Sequence, residues 1–161
     1  MKRLFTGTIL AILIYLGTTP GVLAIETPIG LPQNLYDMEV AAVFLQPIEM
    51  NPLDIMRRRK ESDIHLEADI HAIEGNPNGF DEGDWISYLP IHYELINLET
   101  EKKVSGHMMP MTANDGAHYG DNIKVPGGIG KYKLIFRIEP PPPREVLRSP
   151  YGSGDWSDGM V

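Results

Sequence analysis

Residues 63–72 read Asp63-Ile64-His65-Leu66-Glu67-Ala68-Asp69-Ile70-His71-Ala72 (DIHLEADIHA), and their alternation decides the class of the fold. Successive side chains on a strand point to opposite faces. Ile64, Leu66, Ala68, Ile70 and Ala72 therefore make one apolar face, and His65, Glu67, Asp69 and His71 make the other. A helix would scatter both sets around its circumference, so residues 62–74 are predicted to form a strand with one face in a core. The polar face has two readings. It is a solvated edge of no consequence, or it holds an ion. Same-face neighbours stand about 6.5–7 Å apart at the backbone, near enough for His65 with Glu67, or Asp69 with His71, to converge on one cation.

Working outward, residues 36–46 (YDMEVAAVFLQ) predict a first strand, preceded by a Pro- and Gly-punctuated extended leader at 25–34. Residues 51–61 form a polar, basic connection with a helical turn, and 75–84 (GNPNGFDEGD) are dense in turn formers. Residues 85–98 are the longest strand candidate, and Pro90 within them implies an edge position or a bulge. A hairpin turn at 97–103 leads to a strand at 104–112. Residues 113–130 are expected to be a loop, with glycines at 116, 120, 127, 128 and 130. Residues 131–139 (KYKLIFRIE) alternate, with Tyr132, Leu134, Phe136 and Ile138 inward. A polyproline end at 140–143 and a polar, strand-poor stretch at 144–161 follow. Short strands separated by turn signals, with almost no helical period, predict an all-β sandwich in a single domain.

Composition narrows the chemistry. Of 161 residues, 42% are hydrophobic, enough for a core, and the net charge of −8 argues against nucleic acid as a partner. The one basic run, Arg57 to Lys60, is flanked by acids and reads as a solvated loop. There is no cysteine, hence no disulfide, no lipid attachment site and no thiolate metal site. Any metal must be held by His, carboxylate and Met. At the N-terminus, Lys2 and Arg3 precede an apolar run at 4–16, and Val22 and Ala24 suit a signal peptidase. Residues 1–24 are read as a signal peptide and 25–161 as the exported domain, periplasmic and without membrane insertion after cleavage. The apolar run is short for a membrane span; the alternative is an uncleaved anchor. Without Lys2 and Arg3 the net charge falls from −8 to −10.

A second cluster follows. Met108-Met109-Pro110-Met111 runs into TANDGAHYGDN, which holds His118. Thioethers usually fill core gaps, and that remains the alternative for Met108 and Met109. Alternation puts Met109 and Met111 on one face and Met108 on the other. Methionine with imidazole suits copper, above all Cu(I), better than zinc or calcium.

With these strings in place, DIHLEADIHA, NGFDEGDWISYLPIHYELIN, MMPMTANDGAHYGDNIK and KYKLIFRIEPP together resemble the periplasmic iron-transport-associated copper-binding proteins, the accessory proteins of high-affinity ferrous-iron permeases. The resemblance spans residues 36–142. It implies an immunoglobulin-like β-sandwich, a homodimer and a copper site at His65, Glu67, Met111 and His118. It marks Asp115 and Tyr119 as residues supporting that site, and Asp69 and His71 as candidates for a second ion such as iron. The chain departs from the family pattern after the EPP segment. Where the family carries an Arg-His string that completes the copper site, this chain has Arg148-Ser149, and no histidine follows His118. The family's final strand has no counterpart before Val161. His92 and His107 are read as ordinary strand histidines, either of which could replace the missing ligand.

The expected function is a periplasmic copper-binding protein assisting iron uptake by an inner-membrane permease. The alternatives are a copper buffer or chaperone unconnected with iron, a ferroxidase-like enzyme, and a degenerate relative that binds no metal firmly. No Ser/His/Asp order or Cys nucleophile supports hydrolytic chemistry.

Overall fold

The computed structural model of the chain describes residues 25–53, 55–114 and 116–141. The expected signal peptide, Asp115 and the stretch from 142 onward lie outside the described residues. Eight strands account for the fold: β1 (Thr27–Pro28), β2 (Gln33–Leu35), β3 (Met38–Leu45), β4 (Ile64–Ala72), β5 (Ile91–Asn97), β6 (Lys103–Ala113), β7 (Gly116–Ile123) and β8 (Tyr132–Ile138). Helix among the described residues is limited to a 3-10 turn at Arg59–Glu61.

The all-β expectation holds. The immunoglobulin-like sandwich is a finer statement than the hydrogen bonding supports, because the strands follow one continuous path, β1-β3-β4-β7-β6-β5-β8, with β2 also on β3. All pairings are antiparallel. The long strand β6 makes the sheet curl. Its first part, 103–108, pairs with β5, and its second part, 109–113, pairs with β7. The concave side carries the core: Leu66, Ala68 and Ile70 of β4, Ile91, Tyr93 and Leu95 of β5, Met108 of β6, and Tyr119 and Ile123 of β7. Leu66, Ala68 and Ile70 have no exposed surface, so the apolar half of DIHLEADIHA is in the core. Full burial of a large aliphatic side chain contributes about 1.5–3 kcal/mol. The Tyr93 hydroxyl donates to the Asp121 carboxylate at 2.8 Å and ties β5 to β7 across this core.

Three expectations need correction. Residues 113–130 are not one loop: 116–123 form β7, a central strand between β4 and β6. Glycine and polar residues on one of its faces hide the alternation of Tyr119, Asp121 and Ile123 on the other. Residues 85–98 are not one strand. Trp85 makes a single bridge to His71, Tyr88 sits at φ +64°, and β5 starts after Pro90. The 11-residue β6 is the longest strand instead. The leader at 25–34 is partly sheet, since β1 and β2 both pair with β3. Tyr36 and Asp37, at φ +51° and +61°, make the two-residue turn from β2 to β3, the left-handed geometry that suits the twist of a tight hairpin.

Candidate metal centre

The convex face of β4, β7 and β6 carries the polar residues. In register, His65 lies opposite Asn122 and Glu67 opposite Gly120. On the far side of β7, Gly120 lies opposite Met109 and His118 opposite Met111. Alternation therefore brings His65 and Glu67, His118, Gly120 and Asn122, and Met109 and Met111 onto one surface.

That surface is not solvated. His65 has no exposed area, and Glu67, His118, Met111 and Asn122 are buried. The connection from β3 to β4 is tied to this face through the Asn122 side chain. Asn122 Oδ1 accepts from Ile48 N–H at 3.2 Å, and its Nδ2 donates to the carbonyls of Ile48 and Arg57, each at 2.8 Å. These partners fix the amide orientation, since a backbone N–H only donates and a carbonyl only accepts.

The same amide sets the protonation of His65. Its Nδ1 is 3.0 Å from Asn122 Oδ1, an atom that can only accept, so Nδ1 carries the proton. Nε2 is left with its lone pair directed away from Asn122. Burial pushes the His65 imidazole down to about 4, against the opposing effect of the Asn122 hydrogen bond and with a smaller lowering from His118. At neutral pH the ring is uncharged and ready to donate an electron pair.

What Nε2 meets is the core of the site. His65 Nε2 and His118 Nε2 each lie 3.4 Å from Glu67 Oε1. Ligand atoms of the three residues all fall within 4.8 Å of one another. Both Nε2 atoms are buried without a hydrogen-bond partner, and 3.4 Å exceeds the usual N–H···O range. It does match coordination: two donors each about 2.0–2.1 Å from one tetrahedral ion stand about 3.3 Å apart. The two rings meet edge-on, with centroids 6.3 Å apart and planes at 74°.

Gly120 leaves the space into which these atoms point. A Cβ there would lie 2.6 Å from His65 Nε2, 2.9 Å from His65 Cε1 and 3.1 Å from the Met111 sulfur. A side chain at 120 is thus excluded, and the Met111 thioether borders the same space as the His65 lone pair. Two orphaned imidazole nitrogens, a carboxylate and a thioether around a vacant Cβ position fit a first-row transition ion with both borderline and soft character.

The remaining candidates stand elsewhere. Asp69 and His71 continue the same face of β4, opposite Ala41 and Glu39 of β3, and do not join the three-residue group. Tyr119 points into the core, where its hydroxyl accepts from Leu89 N–H at 3.0 Å and donates to Ile86 carbonyl at 2.9 Å. It packs on Trp85 with centroids 5.2 Å apart, and burial raises its phenol above the ordinary range. His92 and His107 face each other on β5 and β6. The sequence reading missed Gly120 and Asn122. Recognising 116–123 as a strand would have put both on the face of His118.

The sequence profile described as Fe2+ transport protein matches residues 23–153. A UPF0423 protein of Brucella abortus (strain 2308) is 54% identical over 141 residues, 88% of this chain and 77% of that protein. The copper-reconstituted P19 protein of Campylobacter jejuni shares 50% identity at a TM-score of 0.72, covering 77% of this chain and 80% of that one. FetP of uropathogenic E. coli strain F11, expressed in the periplasm of E. coli, shares 47% identity at a TM-score of 0.72, covering 85% and 87%.

Proposed function

This chain belongs to the Fe2+ transport protein family, and we propose that it is a periplasmic copper-binding protein that assists iron uptake through an inner-membrane permease. The observation that carries the reading is the pair of buried, unpartnered Nε2 atoms of His65 and His118, set with Glu67 around the space in front of Gly120. The copper-reconstituted state of the C. jejuni relative supports the choice of metal. Export with cleavage after Ala24, and a homodimer, are part of the same reading.

In it, His65, His118 and Glu67 supply the nitrogen and oxygen donors suited to Cu(II), and Met111 supplies the soft donor suited to Cu(I). Copper bound there would supply one-electron chemistry. The protein's own residues make the centre ready for it. Asn122 locks the His65 tautomer, so the ring need not turn or lose a proton to bind. Burial of all four donors keeps bulk water from them. Gly120 keeps the volume open. By the sequence resemblance Ser149 stands where the family carries a further histidine, so in this reading the four residues hold the ion with one position left open.

Calorimetric copper titration of the metal-free protein, with EPR of the product, tests this. One tight equivalent per chain is expected, lost in His65→Ala and in His118→Ala. Retention of that equivalent in both variants would sink the assignment. The iron role is tested separately. Cells lacking the gene should grow poorly on limiting ferrous iron, with rescue by the wild-type chain and not by His118→Ala. Equal rescue by both would detach copper from iron uptake.

A further inference from the structure

A second pair of histidines lies on the other half of the curled sheet. His92 of β5 and His107 of β6 are directly opposite in register. Their ring centroids are 4.3 Å apart with planes at 60°. His92 Nε2 is also 3.7 Å from Glu139 Oε1, just beyond the end of β8. The Glu139 backbone is held in place, since its N–H donates to the Pro90 carbonyl at 3.0 Å, next to the start of β5. Their surroundings differ from those of the buried centre. The His92 and Glu139 side chains are 35% and 51% exposed, and His107 is exposed.

Directly opposed cross-strand residues have Cβ atoms about 4.5–5.5 Å apart. Two imidazoles on such a pair can each offer a ring nitrogen to one ion at about 2.0–2.1 Å. Glu139 stands beside His92 and not between the two rings, since the three residues do not form a compact donor group as His65, Glu67 and His118 do, and it acts on the pair through its charge. This donor set contains no thioether, so it favours a borderline divalent ion over Cu(I). Arg137, the β8 neighbour of His92 in register, opposes a bound cation and makes the affinity lower than at the buried centre. Neither histidine joins the buried group of His65, Glu67 and His118.

We propose that His92 and His107, with the Glu139 carboxylate beside them, form a second, solvent-exposed site for a divalent transition ion of the Cu2+ or Zn2+ class, separate from the buried centre. The competing account is that the two rings merely pack on each other across the strands. The accounts differ in whether an added ion binds there and in what it needs.

The test is a Zn2+ titration of the metal-free protein, followed by the imidazole resonances in NMR spectra and repeated with Cu2+ by calorimetry. An equivalent that shifts the His92 and His107 ring signals together is expected. It should weaken at least tenfold in His92→Ala and in His107→Ala, weaken severalfold in Glu139→Gln, and persist in His65→Ala. Absence of that equivalent in the wild type overturns the proposal, as does its survival within twofold in both histidine variants. All three side chains are on the surface, so the variants fold, and an unchanged thermal transition verifies it. His65→Ala acts only on the buried centre. Failure of the surface site therefore leaves the copper reading of that centre intact, and the reverse holds as well.

Discussion

Two histidine pairs in one small sheet experience opposite conditions. His65 and His118 are buried, edge-on at 6.3 Å, with both Nε2 atoms lacking a hydrogen-bond partner. His92 and His107 are on the surface, closer at 4.3 Å, with water available to satisfy them. Leaving a buried polar atom unsatisfied costs about 1–3 kcal/mol. The buried pair therefore carries a standing cost in the metal-free protein that the surface pair does not. The difference shows that histidine content alone does not define the main centre. A glycine opens the space, an asparagine fixes the tautomer, and burial removes water. The surface pair has none of these, and it is accordingly the weaker and more adaptable site.

The largest effect expected from breaking this contrast is that of Gly120→Ala. The added methyl would sit 2.6 Å from His65 Nε2, on an imidazole that Asn122 Oδ1 holds in place. Copper affinity at the buried centre should fall about 1,000-fold, a loss of about 4 kcal/mol, while Zn2+ shifts at His92 and His107 stay as in the wild type. Competition titration against a chelator of known affinity measures it. A drop of less than tenfold would show that the space before Gly120 is not where the ion sits.

Next comes the pH dependence of metal-free stability. His65 is uncharged in the folded protein down to about 4, because burial disfavours the imidazolium. In the unfolded chain it takes up a proton near 6.5. Between those values the unfolded state binds a proton that the folded state does not, so stability falls as the pH is lowered. The contribution is fully present above about 6.5 and is lost by about 4. The size of the loss is about 3 kcal/mol. Denaturant titrations at pH 7.5, 5.5 and 4 should reveal it. His65→Leu should flatten this slope, and His92→Ala should leave it unchanged. An identical slope in His65→Leu would assign the effect to other groups.

Asn122→Leu removes the tautomer lock and the fastening of the connection while roughly preserving volume. Outer partners of metal-binding histidines typically contribute 10–100-fold to affinity, and a loss of that size is expected here. Asn122→Asp restores an acceptor for His65 Nδ1 but repels the carbonyls of Ile48 and Arg57. It should recover part of the affinity without recovering protection of the β3–β4 connection from hydrogen exchange. Equal affinity in Asn122→Leu and the wild type would mean that His65 finds its tautomer unaided.

The sequence made one strand of this centre plain and concealed the other. In β4, hydrophobic residues alternate without a break, so the face bearing His65 and Glu67 could be read directly. In β7 the outward face is His118, Gly120 and Asn122, and the inward face contains Asp121. Neither face looks apolar, and glycine ordinarily signals a turn. The glycine that disguises the strand is the residue whose missing side chain opens the centre, so the function itself removed the pattern. A related conflict governs 85–98. There the apolar residues suggested one long strand, whereas a left-handed Tyr88 and the ring of Pro90 delay its start to Ile91. The closeness of His92 to His107 was equally beyond sequence alone, because it depends on the register of a hairpin whose turn length had to be known first.

The smallest effect expected is that of the double variant His92→Ala, His107→Ala on the metal-free protein. A cross-strand ring pair on an exposed face contributes about 0.2–1 kcal/mol, and surface changes mostly stay within about 0.5 kcal/mol. Stability at pH 7.5 should therefore change by less than 1 kcal/mol. With Zn2+ at a hundredfold excess over the surface site's dissociation constant, binding should stabilise the wild type by about 2.7 kcal/mol through that site. The same excess should do nothing through that site in the double variant. Carrying out the comparison with and without the double substitution on a His65→Ala background removes the buried centre's own response. Thermal unfolding with and without the ion then isolates the surface pair. A gap between the two chains that opens only when Zn2+ is present means that the rings meet in order to share an ion. A gap equally large without Zn2+ means that they meet only to pack on each other.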